Sequence, residues 1–404
     1  MDRPLGPVGA SDLELLTGPD AGDILRAAVG ISGGEVLSWR VHQVDHQPGR
    51  GSTAAYRARV RWPDGQVAEE RLAAYTGTPP PGAVTVGDGT DRVAVWRFPH
   101  DPYLPGMPTA YDPDAVAGLL RSFQLGDGPV RLLVRAYRPR RRAVVEAVGA
   151  QGRLFLKVVR PGRVEPLHRR HRLVTAAGVP APRSLGYTPD GLVVLQALPG
   201  ITLREALLGG DDALPSGAAV VSLLDRLPAE LVEGHRRRCW RARAGHYAAV
   251  VAGTLPAEGD RAAGLAVEVA AGGATTPAVP VHGDLYENQL RVAGGRLTGL
   301  LDLDTAGPGD RADDLACLLG HLSVLAQVRP GRAEAINRLG SRYLAAFAPT
   351  CDPADLRYRV AAVVLSLATG PYRVQQADWQ AATSRRLDLV ERWVHSARAA
   401  GRRA

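Results

Sequence analysis

The sequence predicts an α+β protein of more than one domain. Short β-rich runs broken by turn residues fill the chain as far as about residue 198. From about residue 200 the apolar pattern becomes helical, except that 277–307 reads strand, loop, hairpin, loop. At 404 residues the chain exceeds one ordinary core, so two or three domains are expected.

Taken in order, residues 1–125 hold the strand-like runs "EVLSWRVHQV", "AAYRARVRW", "AEERLAAYTG" and "DRVAVWRF". "PDG" at 63–65 is a turn, and "GTPPPGAV" is a Pro/Gly-rich loop. "GRGST" at 49–53 lacks the GK[ST] ending of a nucleotide-binding Walker loop and reads as a hairpin turn. "DPDAVAGLLRSF" is a helix with Asp112 or Asp114 near its start. Residues 126–198 follow as a second strand-rich unit. "VRLLVRAYRP", "AVVEAVG" and "RLFLKVV" are three antiparallel strands, the last two joined by "GAQG". "EPLHRRHRLVTAAG" is a helix closed by Gly178, and "RSLGYT-PDG-LVVLQAL" is a hairpin. In residues 199–404 a Thr202/Glu205 capping box opens the first helix. Later helices are "DDLACLLGHLSVLA", "AEAINRLGSRYLAAF", "LRYRVAAVVLSLA" and "DWQAATSRRLDLVERWV". A weak repeat relates "VDHQPGRGSTAAYRARV" to "VRAYRPRRRAVVEAV", both strand, Pro-turn, strand.

Composition excludes several classes. Hydrophobic residues make up 45% and charged residues 22%, ordinary for a globular protein. No run is long and apolar enough for a membrane span or a signal peptide, so no membrane partner is expected and a cytoplasmic location is. The net charge of +8 comes from dispersed arginines without an aromatic-rich RNA-binding signature, so no nucleic-acid partner is expected. Cys239, Cys317 and Cys351 are scattered and suggest neither a disulfide framework nor a metal cluster. None of the ten histidines shows zinc spacing; His246, His321 and His395 read as ordinary helix residues.

Lys157 is the only lysine in the chain. It sits in the apolar run Leu154–Val159, a strand bounded by glycines. A strand lysine turned into a cleft holds a phosphate as a point charge; on an edge strand it would instead block aggregation.

The densest chemistry is "HGDLYENQL", His282 to Leu290, with Asp302 thirteen residues past Gln289 in "GLLDLDTAG". Phosphoryl transfer to a hydroxyl needs one carboxylate to orient the attacking group and accept its proton. It also needs oxygen ligands for Mg²⁺ and a cation at the phosphates. Asp284, Gln289 with Asp302, and Lys157 supply these in turn.

"HGDLYENQL" followed by "GLLDLDTAGPGDRADDLA" resembles the aminoglycoside phosphotransferase superfamily of protein-kinase-like small-molecule kinases. The resemblance is specific over 277 to about 322 and looser over about 130 to 395. It implies a protein-kinase-like bilobal fold, with a small β-rich lobe, a large helical lobe and an additional strand-rich N-terminal cap as in maltokinases. It implies ATP and Mg²⁺ as cofactors and a hydroxyl on a small molecule as acceptor. By position Asp284 matches the catalytic aspartate, Asp302 the metal-binding aspartate with Asp304 the adjacent acid, and Lys157 the phosphate-binding lysine. Gln196 to Leu198 fall at the hinge that holds adenine. His282 belongs to the catalytic loop, while Asp310 and Asp314 read as a cap and a brace for it.

There are departures. The family's asparagine five residues past the catalytic aspartate is Gln289 here, with Asn288 one residue early. The glycine-rich phosphate loop is replaced by "YRPRRRAVVEA", where Arg140 and Arg142 are donors to the phosphates or part of a solvated turn. Glu165 is the one candidate to pair the lysine. From Asp355 onward four acids stand against nine arginines, which favours a sugar or aminosugar over a polycationic antibiotic. Gln375, Asp378 and Trp379 suit sugar recognition, or simply a helix start. A catalytically inactive nucleotide-binding pseudokinase and an aminoglycoside antibiotic kinase are the alternatives.

Overall fold

Two five-stranded antiparallel sheets organise the first part of the chain, and they share one strand order. The computed structural model describes residues 12–81, 83–87, 92–150, 152–211, 213–234, 236, 238–271 and 277–402. Helices α1 (Asp12–Thr17) and α2 (Asp20–Gly30), which the sequence reading did not anticipate, precede the first sheet. α2 buries Ala21, Ile24, Leu25 and Val29 at helical spacing, and Asp20 and Asp23 place negative charge in its first turn. The sheet consists of β1 (Glu35–Gln47), β2 (Gly51–Arg61), β3 (Val67–Tyr75), β4 (Val84–Val86) and β5 (Val93–Arg97), in the order β1-β2-β3-β5-β4. On β2, Ala54, Tyr56, Ala58 and Val60 alternate inward into a core that includes Ile24 and Leu25. The buried Tyr56 hydroxyl donates to the Leu16 carbonyl at 2.8 Å.

Helices α3 (Met107–Tyr111) and α4 (Pro113–Ser122) follow. Asp112 caps α4 by accepting the Asp114 and Ala115 N–H groups at 2.9 and 3.1 Å. The second sheet comprises β6 (Arg131–Arg138), β7 (Arg142–Gly149), β8 (Gly152–Val159), β9 (Ser184–Tyr187) and β10 (Leu192–Gln196), in the order β6-β7-β8-β10-β9. Each sheet is thus a three-stranded meander whose third strand pairs with the last strand. The weak repeat in the sequence has this topological counterpart. Between third and fourth strands the second sheet carries α5 (Val164–Ala176), where the first has the Pro/Gly loop. Gln151, in the "GAQG" turn, lies outside the described residues.

The remainder is mostly helical. β11 (Ile201–Thr202) leads into α6 (Leu203–Gly209), whose expected capping box is present: Glu205 N donates to Thr202 Oγ1 and Thr202 N to Glu205 Oε2. Then come α7 (Gly217–Asp225), α8 (Ala244–Thr254), α9 (Gly259–Ala270), β12 (Val279–Val281), β13 (Leu290–Ala293), β14 (Arg296–Leu300) and β15 (Gly307–Gly309). α10 (Arg311–Val328), α11 (Ala333–Phe347), α12 (Pro353–Ala368), α13 (Gly370–Arg373) and α14 (Trp379–Gly401) complete the chain. α10 is apolar nearly all round and is a central member of the largest core. Gly320 admits α12 closely: a Cβ there would meet Val363 Cγ1 at 2.7 Å.

By its contacts the chain divides into two units. One holds Met1–Glu165, Leu185–Leu195 and Tyr372–Ala377; the other holds Pro166–Ser184, Gln196–Pro371 and Asp378–Ala404. The expected 1–125 region and most of the expected 126–198 region fall in the first. No helix among the described residues is long and apolar enough to cross a membrane. No disulfide joins Cys239, Cys317 and Cys351.

Candidate active site

In the second unit the chain runs from β12 into the His282–Gln289 loop and returns through the β13–β14 hairpin to Asp302. His282 is fully buried and joins both ends of this path. Its Nε2–H donates to the Leu301 carbonyl at 2.7 Å, leaving Nδ1 to accept the Asp284 N–H at 3.3 Å. Those two partners select the tautomer. The His282 carbonyl accepts the Thr305 hydroxyl at 3.0 Å, which ties in the short helical turn Leu303–Thr305. Gly283, with φ +81°, makes the sharp change of direction before Asp284.

Asp314, on α10, braces the loop. Its two carboxylate oxygens accept the backbone N–H groups of His282 at 2.7 Å and Gly283 at 2.6 Å. It is completely buried, and burial pushes its carboxyl pKa up against the opposing effects of His282, the two N–H groups and Arg311. Asp310 caps α10 by accepting Ala312 N–H at 3.0 Å and pairs with Arg359 at 2.8 Å. Arg359 also holds Asp313 at 2.8 Å and Asp355 at 2.6 Å, and Asp355 meets Arg241.

Cross-strand register brings the two oxygen-bearing positions beside each other. Leu290 pairs with Leu300, and Leu301 N–H then donates to the Gln289 carbonyl at 2.7 Å, next to Asp302. Gln289 is buried and Asn288 is half-buried. Asp302 adopts the left-handed conformation, φ 58° and ψ 62°, uncommon outside glycine and tolerated best by Asn and Asp. Such strain persists where the surroundings over-determine it. Asp304 follows in the short turn, and Arg170 of α5 donates to the Leu303 and Asp304 carbonyls at 3.1 and 3.0 Å.

One passage from the first unit to the second lies between Leu195 and Gln196. Gln196 is exposed and Leu198 half-buried. Arg291 of β13 gathers the carbonyls of Leu198 at 3.3 Å, Pro199 at 3.2 Å and Gly200.

In the first unit Lys157 is 5% exposed and lies on β8, between β7 and β10. A central strand removes the edge-strand explanation of this lysine. Glu165 is exposed in the first turn of α5. Arg142 opens β7 opposite Val159. Arg140 sits at φ 64° in the β6–β7 turn with its guanidinium engaged by the first sheet and its flank. It donates to Thr53 Oγ1 at 2.8 Å and lies 3.2 Å from the Tyr75 ring centre and 4.8 Å from that of Tyr103. Its backbone N–H donates to Asp101 at 2.8 Å, and Arg141 reaches Asp45 at 3.3 Å.

Gln375, Asp378 and Trp379 are divided, Gln375 counting with the first unit and the other two with the second. Gln375 Nε2 donates to the Tyr372 carbonyl at 2.6 Å, Asp378 pairs with Arg385 at 2.7 Å, and Trp379 begins α14.

Three features escaped the sequence reading. Arg170 supports the Asp304 turn. Arg204 of α6 grips the fully buried Glu287 at 2.5 and 2.8 Å, securing the loop from outside. Cys317 and His321 of α10 come up to Asp284: the Cys317 thiol donates to Asp284 Oδ1 at 4.0 Å, and His321 stacks on Tyr286 with ring centres 4.3 Å apart. The first two are invisible because the partners lie 134 and 83 residues apart in sequence. The i, i+4 spacing of Cys317 and His321 was the available signal for the third.

Among solved structures the chain is similar to a thermostable mutant of aminoglycoside phosphotransferase APH(4)-Ia in its apo form. The two are 17% identical, with TM-score 0.48 and coverage of 68% of this chain and 97% of that one. It is also similar to aminoglycoside phosphotransferase APH(3'')-Id from Streptomyces rimosus, at 18% identity, TM-score 0.43 and coverage of 63% and 98%. A choline/ethanolamine kinase family protein from Mesorhizobium loti is 19% identical, with TM-score 0.45 and coverage of 69% and 93%. No curated protein matches. The family model described as the phosphotransferase enzyme family matches residues 136–352, just over half of the chain and the whole path from Lys157 through Asp284 to Asp314. The chain therefore belongs to the phosphotransferase enzyme family, and its second sheet and helical remainder are the protein-kinase-like fold that this membership implies.

Proposed function

We propose that this phosphotransferase moves the γ-phosphoryl group of ATP to a hydroxyl of a small molecule, a sugar or aminosugar, with Mg²⁺. The observation that carries the reading is the common support of Asp284, Gln289 and Asp302. Asp284 stands on a loop clamped by His282 and Asp314, and Gln289 is pinned through Leu301 to the strained turn at Asp302. The donor set fits the metal, because a side-chain amide oxygen and a carboxylate are hard ligands of the kind Mg²⁺ prefers. Gln289 and Asp302 would hold it, with Asp304 adjacent. Bound there, Mg²⁺ neutralises phosphate charge.

The chain's own groups have separate tasks in this scheme. Asp284 orients the acceptor hydroxyl and takes its proton. Lys157, and Arg142 at the start of β7, steady the phosphates. Backbone groups from Gln196 to Leu198 would hold the adenine. For the acceptor, the acids of the C-terminal segment favour low charge. Asp355, Asp378, Asp388 and Glu391 are each paired with an arginine, Arg359, Arg385 or Arg261, so they offer little to a polycation.

Nucleotide consumption with a panel of sugars, aminosugars and aminoglycosides, followed by mass analysis of the acceptor, tests this. A phosphorylated sugar or aminosugar, lost in Asp284→Asn, is the expected result. Nucleotide binding without turnover on any acceptor would establish the pseudokinase reading instead, and turnover on aminoglycosides alone would establish the antibiotic kinase.

A further inference from the structure

The donor atoms of Asp284, Cys317 and His321 all lie within 4.8 Å of one another, with Cys317 Sγ 4.0 Å from Asp284 Oδ1. We propose that these three side chains form a binding site for a thiophilic divalent metal ion of the zinc type, and that its occupation shuts off phosphoryl transfer by capturing Asp284. The inhibitory half rests on the catalytic role given to Asp284 above; the metal site itself does not.

The three groups have the right chemistry and the right support. Thiolate, imidazole and carboxylate together make a borderline-soft set that suits Zn²⁺ and Co²⁺ and does not suit Mg²⁺. It is therefore distinct in kind from the all-oxygen pair Gln289 and Asp302. Cys317 and His321 stand one turn apart on α10 and so project from the same face. Cys317 is fully buried, so its sulfur has a fixed position. The His321 ring is stacked at 20° to Tyr286, which fixes its plane two residues from Asp284. Zinc binds N, O and S donors at about 2.0–2.3 Å, and four tetrahedral ligands stand about 3.3–3.8 Å apart. Closing these donors onto one ion takes movements of roughly 1 Å or less at each side chain. Binding converts the thiol to a metal thiolate and releases its proton to solvent, so affinity rises with pH. With three protein ligands, the fourth position is left to water. The carboxylate so engaged can no longer accept a proton from an acceptor hydroxyl.

The test titrates the full chain with Co²⁺, without nucleotide or acceptor, and follows the thiolate-to-cobalt charge-transfer absorption. A band that saturates at stoichiometric metal is expected in the wild type and absent in Cys317→Ser, whose Cys239 and Cys351 remain. In His321→Ala the affinity should fall by on the order of 10–100-fold or more, since even groups one shell removed from a metal carry that much. Zn²⁺ should displace the cobalt. It should also inhibit turnover with a half-inhibitory concentration that rises by a similar factor in both variants, each compared with its own zinc-free rate. If Cys317→Ser does not fold, His321→Ala, altered at a half-buried position, decides alone. No charge-transfer band in the wild type overturns the site, as does a band or a zinc sensitivity that both variants keep. Because the cobalt titration needs no catalysis, a chain that binds metal but turns over no acceptor retains this site while losing the kinase reading.

Discussion

Replacing Asp314 by asparagine removes one acceptor from the His282–Gln289 loop while keeping the shape of the side chain. Two backbone N–H groups, those of His282 and Gly283, now share one carboxylate at 2.7 and 2.6 Å. An amide offers a single oxygen and turns its NH₂ toward the second donor. One charge-assisted hydrogen bond is lost, on the order of 1.5–3 kcal/mol, and a buried donor is left unsatisfied, about 1–3 kcal/mol more. Part of this is offset, because burial already pushes the Asp314 pKa up and the amide carries no charge to bury. A net loss of about 2 kcal/mol lowers the melting temperature by roughly 4–8 °C for a unit of this size. Activity should fall further than stability alone accounts for. The displaced N–H groups directly precede Asp284, and a shift of about 1 Å at a catalytic group costs on the order of 10²-fold in rate. Thermal melting and turnover on the same preparation, below the new melting temperature, measure both. Wild-type values of each would show that Asp314 does not set the loop, and a full melting shift with unchanged turnover would show that the loop tolerates the displacement.

Other expected outcomes follow from the same geometry. Lys157→Arg should lower turnover on the order of 10²-fold, because a wider guanidinium replaces an ammonium that is 5% exposed on a central strand; near-normal turnover would show that the reaction does not require the ammonium. Asp302→Asn should abolish turnover with the fold intact by circular dichroism, and Gln289→Ala should raise the Mg²⁺ requirement; a larger effect from Asn288→Ala would shift the amide ligand by one residue. Asp313 has its pKa raised to about 6, chiefly by burial and against the pull of Arg359. A raised folded value means stability that is fully present below about 3.9 and lost as pH rises through 6. Between pH 4 and 7.5 the wild type should therefore lose about 2 kcal/mol relative to Asp313→Asn, at 1.36 kcal/mol per unit, in urea unfolding. A pH-independent difference would contradict this.

The His282–Gln289 loop and its hairpin were legible because their residues are local in sequence: "HGDLYENQL" and "GLLDLDTAG" each carry their proposed chemistry within a few positions. The strands were legible from alternation, as in Ala54, Tyr56, Ala58 and Val60, and the caps at Asp112 and Thr202 from side-chain chemistry. The two N-terminal helices were not anticipated, although Ala21, Ile24, Leu25 and Val29 keep helical spacing; α1 is only six residues long and both lie ahead of a strand-rich stretch. What no single sequence can show is which distant groups converge. Arg204 on Glu287, Arg170 on the Asp304 turn, and Cys317 with His321 beside Asp284 all depend on tertiary packing.

Arg140 is the instructive case. A turn carrying Arg140, Arg141 and Arg142 in place of a glycine-rich loop invites assignment to the phosphates, because nothing local says where an arginine points. In the fold Arg140 spends its guanidinium on Thr53, Tyr75 and Tyr103 and its N–H on Asp101. Asp101 in turn accepts the Tyr137 hydroxyl at 3.0 Å, and Tyr137 accepts Trp96 Nε1–H at 3.0 Å. The residues that hold the turn come largely from the first sheet and the segment after it. The two sheets share a strand order, yet only the second carries the lysine and has α5 between its third and fourth strands. Repetition of a fold therefore did not repeat its chemistry. The first copy serves the second by immobilising a hairpin tip that, without glycine amides to wrap a ligand, would otherwise be a solvated basic turn. A cation over an aromatic ring contributes about 0.5–2 kcal/mol depending on its desolvation. Two rings, a hydroxyl and a buried carboxylate acting on one residue are enough to fix that tip, which explains why a non-glycine residue can stay at φ 64° there.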